Sequence, residues 1–490
     1  MKKTETLINN SIKMNLLYNI IYQVLSACTP LITSPIVSRS LGAGQLGIYS
    51  YTYSVAYYFL LFGMLGVKNY GNRSIARVRG NREELSQTFW SIYFFQLLSS
   101  IVMLLAYGFY VVILCEGNLT IAIIQGMLVL SSIFDISWLF FGFEQFKITT
   151  IRSSTIKLLS VVLIVLFVHN ESDLWKYTVI MAGGALLSQL IMWPFLRSFV
   201  DYRRPKLIEI LRHFKPNIIL FIPVIATNLF KYMDKIMLGK MTVMTELGYY
   251  ENAERLIQIP NSFVTALGTV MLPRMSNLAK NDNNKEASLI TSRSMMISIF
   301  ACSAMAFGIV GVSDVFVPVF FGEDFLQVIP LLYLLAPIMI FICWGDVIRT
   351  QYLIPNMKDV RYLVSVAVAS LCNLLINYLL IPSRGAIGVA IGTVCAEFLV
   401  CFLQTIMVGK SLPILNYIKD CIWFVLFGVI MYFAIRQIYV YSNLLTIIIR
   451  IGAGAIIYLT LSYIYLFKFH KDILKNIIPS TFRRHGVFSK

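Results

Sequence analysis

The sequence predicts an all-α, polytopic membrane protein of about 14 transmembrane helices in two pseudo-symmetric lobes around a central cleft. Three observations carry that prediction. Of the 490 residues, 58% are hydrophobic and 13% charged, against about 25% charged in soluble domains. Apolar runs of about 20 residues, the length a bilayer needs, recur from one end of the chain to the other. Lys and Arg fall in every second loop, with about 32 of the 41 on one side of the predicted topology and about five on the other. A topology shifted by one span would scramble that bias.

The spans follow in order. Span one, about Met14 to Val37, carries a polar stripe through Asn15, Asn19, Gln23, Ser26, Pro30 and Thr33 at helical spacing. Span two, about Gly47 to Val67, places Tyr49, Tyr53 and Tyr57 on one face, suited to sugar rings or to plain packing. A basic loop, Lys68 to Arg82, then reads as cytoplasmic. Spans three (about Phe89 to Leu114) and four (about Leu119 to Phe143) meet outside at Cys115 to Asn118, and span four holds Asp135. Span five, about Leu158 to Val168, is short for a bilayer; Glu171 and Asp173 separate it from span six, about Tyr177 to Leu196.

The densest basic loop, Arg197, Arg203, Arg204, Lys206, Arg212 and Lys215, marks the midpoint. Spans seven (about Ile218 to Leu238) and eight (about Tyr249 to Met271) contain Pro223 and Pro260 as expected kinks. Spans nine to fourteen occupy about Arg293 to Phe320, Phe325 to Tyr352, Tyr362 to Ile381, Ile387 to Val408, Ile418 to Tyr439 and Leu444 to Phe467. This order predicts an N-terminal lobe over 1–200 and a C-terminal lobe over 201–409 that begins with the basic linker. Residues 410–490 add two spans and a basic tail. Both termini are expected in the cytoplasm.

The net charge of +17 does not point to nucleic acid, because its placement follows the membrane alternation. Eight Cys without a C-x-x-C pair give no disulfide framework or zinc site, and four scattered His give no metal signal. No cofactor is implied. Short outside loops and the absence of a paired-carboxylate, nucleophile-base or metal constellation argue against an enzyme such as a membrane polymerase or ligase.

The most charged membrane stretch runs from Asn217 to Arg274. Lys231, Asp234 and Lys235 share one helix face, and Glu251, Glu254, Arg255 and Gln258 repeat the spacing. Each ion in lipid costs about 2.5–3.5 kcal/mol unless it is paired or faces water. The set therefore reads either as the lining of a hydrated cavity or as fixed ion pairs between helices. Asp346 with Arg349 reads as a local i, i+3 pair, Asn373 with Asn377 as an interhelical hydrogen-bonding pair, and Glu397 as a lone carboxylate in apolar surroundings.

A repeat links the halves. Leu41-Gly42 and Leu46-Gly47 with Tyr49 flank one short outside turn; Leu238-Gly239 and Leu247-Gly248 with Tyr249 flank another. Six spans separate the copies, so the halves share orientation, as a parallel repeat requires.

These motifs resemble the polysaccharide biosynthesis and export family, the Wzx-type flippases of lipid-linked oligosaccharide within the multidrug/oligosaccharidyl-lipid/polysaccharide transporter superfamily. The resemblance rests on Leu41 to Tyr49, Gly66-Val67 with Arg73 to Ala76, Met233 to Gly239 with Gly248 to Glu254, and Gly385 to Thr393 with Glu397. It implies a fourteen-helix, two-lobed carrier in a bacterial inner membrane, moving undecaprenyl-diphosphate-linked oligosaccharide to the outer leaflet for O-antigen, capsule or exopolysaccharide assembly. Alternating access, cation coupling, a monomer and polysaccharide polymerase or assembly proteins as partners belong to that expectation. The alternatives in the same superfamily are a multidrug/cation antiporter and a peptidoglycan or teichuronic precursor exporter.

For such a substrate, Lys231, Lys235, Arg255 and Arg39 are the candidates for the diphosphate. Asp234, Glu251, Glu254 and Glu397 are the candidate coupling carboxylates. Asn15, Asn19, Gln23, Tyr49 and Tyr53 are the candidate sugar contacts.

Overall fold

Lipid offers no hydrogen-bonding partner to a bare backbone, so long apolar runs must satisfy their amides internally, as helices. The computed structural model describes residues 2–115, 117–281, 283–409 and 411–470, which form helices joined by short connections, with no strand among them. Ten of the described helices are long and apolar enough to cross a membrane, and Leu119–Phe134 is a shorter apolar helix.

Among the helices that run longer than a bilayer, two break at glycine. Lys2–Met64 breaks at Gly42 (φ 72°) and Asp359–Val408 at Gly385 (φ 53°), left-handed backbone that a Cβ would strain. After Gly385 the chain folds back on itself: a Cβ on Gly388 would stand 2.7 Å from the Leu380 carbonyl oxygen.

The weak fifth span resolves into a helix of 22 residues, Phe146–Phe167. It begins earlier than the apolar run because its charges find partners. Arg152 donates to Gln189 Oε1 and Ser153 Oγ, and Lys157 donates to Ser26 Oγ while lying 4.7 Å over the Tyr22 ring. Much of the basic stretch after span two is likewise helical, over Val67–Val78, with Val67, Gly71 and Ile75 buried.

The chain forms two compact units, one of Met1–Arg255 with Val366–Gly392 and one of Leu256–Ser365 with Thr393–Lys490. In the first, Phe89, Trp138, Phe140 and Ile75 pack in an aromatic-rich core, where Trp138 Nε1 donates to Gln96 Oε1 at 2.9 Å. Asp135 ends the Leu119–Phe134 helix and accepts the Ser137 amide at 2.9 Å. Exposed ion pairs tie the surrounding loops: Arg82 to Asp201 at 2.8 Å, Arg203 to Glu83 at 3.0 Å and Arg79 to Glu144 at 3.0 Å.

The same unit holds the two Leu-Gly turns, and they pack on each other. A Cβ on Gly47 would sit 1.8 Å from the Met244 carbonyl oxygen; one on Gly248 would sit 2.0 Å from the Ala43 carbonyl oxygen. Leu41, Leu46, Leu238 and Leu247 are fully buried around this contact. The repeated motif is thus a reciprocal backbone-to-backbone crossing.

In the second unit, Asn284–Phe320 packs against Val328–Ile348, Ile414–Arg436 and Asn443–Phe469. Arg450, buried there, reaches Asp314 at 2.6 Å and also donates to the carbonyls of Gly311, Ile438 and Arg436.

Candidate functional site

The charged hairpin is built by Phe214–Met241 and the start of Met244–Lys280, separated by Thr242 and Val243. So short a link sets the two helices side by side, and residues near the turn meet across it. Lys235 Nζ lies 2.6 Å from Glu251 Oε2 and 2.8 Å from Glu254 Oε2. Arg255 Nε lies 3.0 Å from Glu251 Oε1, and Ser50 Oγ donates to Glu251 Oε2 at 2.7 Å. Two cations and two carboxylates therefore form one neutral set. Neutrality matters because each unpaired ion in so dry a place would cost several kcal/mol.

Asp234, buried one residue away, accepts from Asn377 Nδ2 at 2.6 Å, and that amide also reaches Asn373 Oδ1 at 3.2 Å. The carboxylate of Asp234 is thus held by a helix 143 residues further along the chain. Glu246 does a related job at the hairpin turn. Its Oε2 accepts the Ala386 amide at 2.8 Å, where the helix restarts after the Gly385 break. An acidic oxygen at an orphan helix amide satisfies a donor and complements the helix dipole.

Tyrosines wall the cluster. Tyr49, Tyr53 and Tyr57 stack in a ladder with centroids 5.9 and 6.0 Å apart, and Tyr57 stacks on Tyr232 at 4.2 Å. Tyr177 meets Tyr49 edge-on at 4.7 Å and hydrogen-bonds Arg255. The sequence-predicted residues divide accordingly. Lys235, Arg255, Glu251 and Glu254 come together. Lys231 and Arg39 are exposed, Lys231 with its ammonium 5.8 Å over the Tyr232 ring. Tyr49 and Tyr53 lie within the ring ladder, Gln23 is half-buried, and the side chains of Asn15 and Asn19 lie outside the described residues. Glu397 belongs to the second unit, half-buried and within electrostatic reach of Arg349, which pairs with Asp346.

Ser50, Tyr177, Tyr232 and Glu246 escape the sequence reading. Ser50 and Tyr232 each directly adjoin or fall within a singled-out motif, and Glu246 directly precedes the second Leu-Gly pair, so proximity to the repeat was the available signal. Among the described residues no group of three or more His, Cys, Asp or Glu is arranged to hold a metal ion.

A family model described as polysaccharide biosynthesis protein matches residues 12–279. A protein of Escherichia coli (strain K12) named as an O-antigen transporter is 22% identical over 82% of this chain and 97% of its own length. The capsular polysaccharide biosynthesis protein CapF of Staphylococcus aureus is also 22% identical, over 61% of this chain and 77% of its own. The structure of lipid II flippase MurJ in an inward closed conformation superposes with a TM-score of 0.75 at 16% identity, covering 93% of this chain and 99% of that one. An inward-facing multidrug resistance MATE family transporter of the MOP superfamily gives 0.58 at 14% identity, covering 81% and 96%. The fold is shared with these transporters.

Proposed function

The chain belongs to the polysaccharide biosynthesis protein family, and we propose that it moves undecaprenyl-diphosphate-linked oligosaccharide units from the cytoplasmic to the outer leaflet of a bacterial inner membrane. The units serve O-antigen, capsule or exopolysaccharide assembly. The names of its relatives and the likeness to a lipid-linked precursor flippase support that substrate class. On this reading the chain is a carrier, not an enzyme. It works as a monomer with both termini in the cytoplasm, and it hands its cargo to polysaccharide polymerases.

One observation carries the mechanism: a single ammonium, Lys235, is shared by two carboxylates. A diphosphate crossing the membrane needs cations whose own counter-charge can be exchanged. Lys231, exposed, meets the headgroup first. Protonation or cation binding at Glu251 or Glu254 then loosens their hold on Lys235 and Arg255, which turn to the diphosphate while the prenyl tail stays in lipid. Return of the carboxylates expels it once the two lobes have opened to the other side.

The test is flipping of a labelled undecaprenyl-diphosphate oligosaccharide in proteoliposomes, with and without a proton gradient. Lys235→Ala should abolish flipping at matched protein levels. Full activity in both Lys235→Ala and Asp234→Asn would remove this cluster from the transport path.

A further inference from the structure

One stretch of the first unit turns its apolar side chains outward and its polar ones in. Leu207–Leu211 is a short helix that leads, through Arg212 and His213, into Phe214–Met241. We propose that the stretch from Arg204 to Lys215 is a docking surface for anionic phospholipid headgroups.

Polar groups fasten the stretch to its own unit. Glu209 Oε1 accepts from Gln87 Nε2 at 2.7 Å, and Glu209 Oε2 accepts the Lys206 amide at 3.0 Å. His213 is buried, with the Tyr70 hydroxyl 2.8 Å from its Nδ1 and Ser91 Oγ 2.8 Å from its Nε2. Ile210 completes this inward face within the aromatic-rich core. The outward face is left to Leu207, Ile208, Leu211 and Phe214, each between 51% and 76% exposed. A helix on a water-facing surface does the reverse, hiding apolar side chains and showing polar ones. An exposed apolar patch rimmed by polar residues marks a membrane or protein contact.

Charge and depth decide between the two. Arg204, Lys206, Arg212 and Lys215 are interleaved with those apolar residues, and all four are exposed. Unlike Arg82 and Arg203, which pair with Asp201 and Glu83, they make no ion pair among the described residues. The one carboxylate of the stretch, Glu209, is engaged on the inward side, so the outward face is apolar and cationic. Hydrocarbon penalises unpaired cations, and water leaves the apolar residues uncovered. The boundary between acyl chains and phosphate-bearing headgroups suits both. The depth agrees. Phe214–Met241 has 28 residues and at 1.5 Å each runs about 42 Å, longer than the roughly 30 Å hydrocarbon core. Its ends therefore reach the headgroup layers, and the stretch joins one of them.

Native mass spectrometry of the full-length chain, released from nanodiscs of equimolar phosphatidylglycerol and phosphatidylcholine, tests this. The parent should retain phosphatidylglycerol at least threefold over phosphatidylcholine. Arg204→Gln, Arg212→Gln and Lys215→Gln together should bring that ratio close to one. Leu207→Ser with Leu211→Ser, which leaves every cation in place, should at least halve it. Lys68→Gln, Arg73→Gln and Arg77→Gln together remove equal charge from Val67–Val78, whose exposed face carries no large apolar side chain, and should leave the ratio unchanged. Exposed substitutions of this kind barely change stability, so all three variants should melt within a degree or so of the parent. An unchanged ratio in the first two variants would overturn the proposal, as would an equal loss in the third. Displacement of the lipid by inorganic phosphate beyond that by chloride at equal ionic strength would mark a site for bare anions instead. The same spectra count protomers, and a dimer that the first two variants abolish would make this face a contact between copies and not a lipid surface.

Discussion

Lys235 stands 2.6 Å from Glu251 and 2.8 Å from Glu254, so one ammonium answers two carboxylates while Arg255, 3.0 Å from Glu251, supplies the second positive charge. Removing one partner of a buried pair leaves an uncompensated charge and costs about 3–5 kcal/mol, whereas replacing both by apolar side chains is often neutral. Glu251→Ala should therefore lower unfolding stability in micelles by that order, and Lys235→Met with Glu251→Met should be more stable than either single change. Additive losses would show that the two residues are not coupled.

The Leu-Gly crossing makes a sharper steric prediction. Gly47→Ala and Gly248→Ala push a methyl group against backbone carbonyls at 1.8 and 2.0 Å, which no side-chain rotation can relieve. Over-packing of this kind costs about 1–3 kcal/mol or more, and both variants should melt lower and flip poorly. Gly44→Ala is the internal control. Its added methyl would meet Thr245 Oγ1 at an ordinary 3.8 Å, so its melting temperature should hold.

How much of this was legible in the sequence follows from what is local. Helical class, the charge bias and the grouping of Lys235 with Glu251 and Glu254 all derive from spacing along one chain or across one short turn, where geometry is fixed by the 3.6-residue period. The partnership of Asp234 with Asn377 and the seat of Glu246 on the Ala386 amide join segments about 140 residues apart, and no periodicity encodes that. The fifth span is short when read from Leu158, where the apolar run begins; in the structure its helix starts at Phe146 and takes in Arg152 and Lys157, which are satisfied by Gln189, Ser153 and Ser26. The repeated Leu-Gly pairs were visible, but not that each glycine exists to admit the other turn's backbone.

Glu246 caps the helix that restarts at Ala386, 2.8 Å from its amide. Loss of such a cap costs about 0.5–2 kcal/mol. Glu246→Ala should fall in that range by chemical unfolding, and Glu246→Gln should lose less, because its amide oxygen can still accept. Equal losses from the two changes would show that the charge, and not the hydrogen bond, holds the turn.

Acid should weaken the loop pair of Arg82 with Asp201. The hydrogen bond from Arg82 holds the Asp201 carboxyl below the usual carboxylate range. Its contribution is complete above the unfolded pKa and is lost as pH falls through the depressed folded value. Melting curves of the parent and Asp201→Asn should therefore differ near neutral pH and converge under acid. Because the pair is exposed, the gap should be small and should shrink in high salt.

The two hairpin lysines separate transport from stability. Lys235 is buried and bound to two carboxylates, whereas Lys231, one turn earlier, is exposed beside Tyr232. If Lys231 receives the diphosphate, Lys231→Ala removes a cation that the fold does not need. Its melting temperature should stay within a degree or so of the parent, on the rule that surface substitutions change stability by about 0.5 kcal/mol or less. Its flipping should need more substrate to reach half-maximal rate while the limiting rate changes little, the signature of lost initial binding. Lys235→Ala should do the opposite, lowering the melting temperature and abolishing flipping at every substrate density. Initial rates against substrate density in proteoliposomes distinguish the two patterns, and a Lys231→Ala curve that overlays the parent would exclude that lysine from headgroup capture.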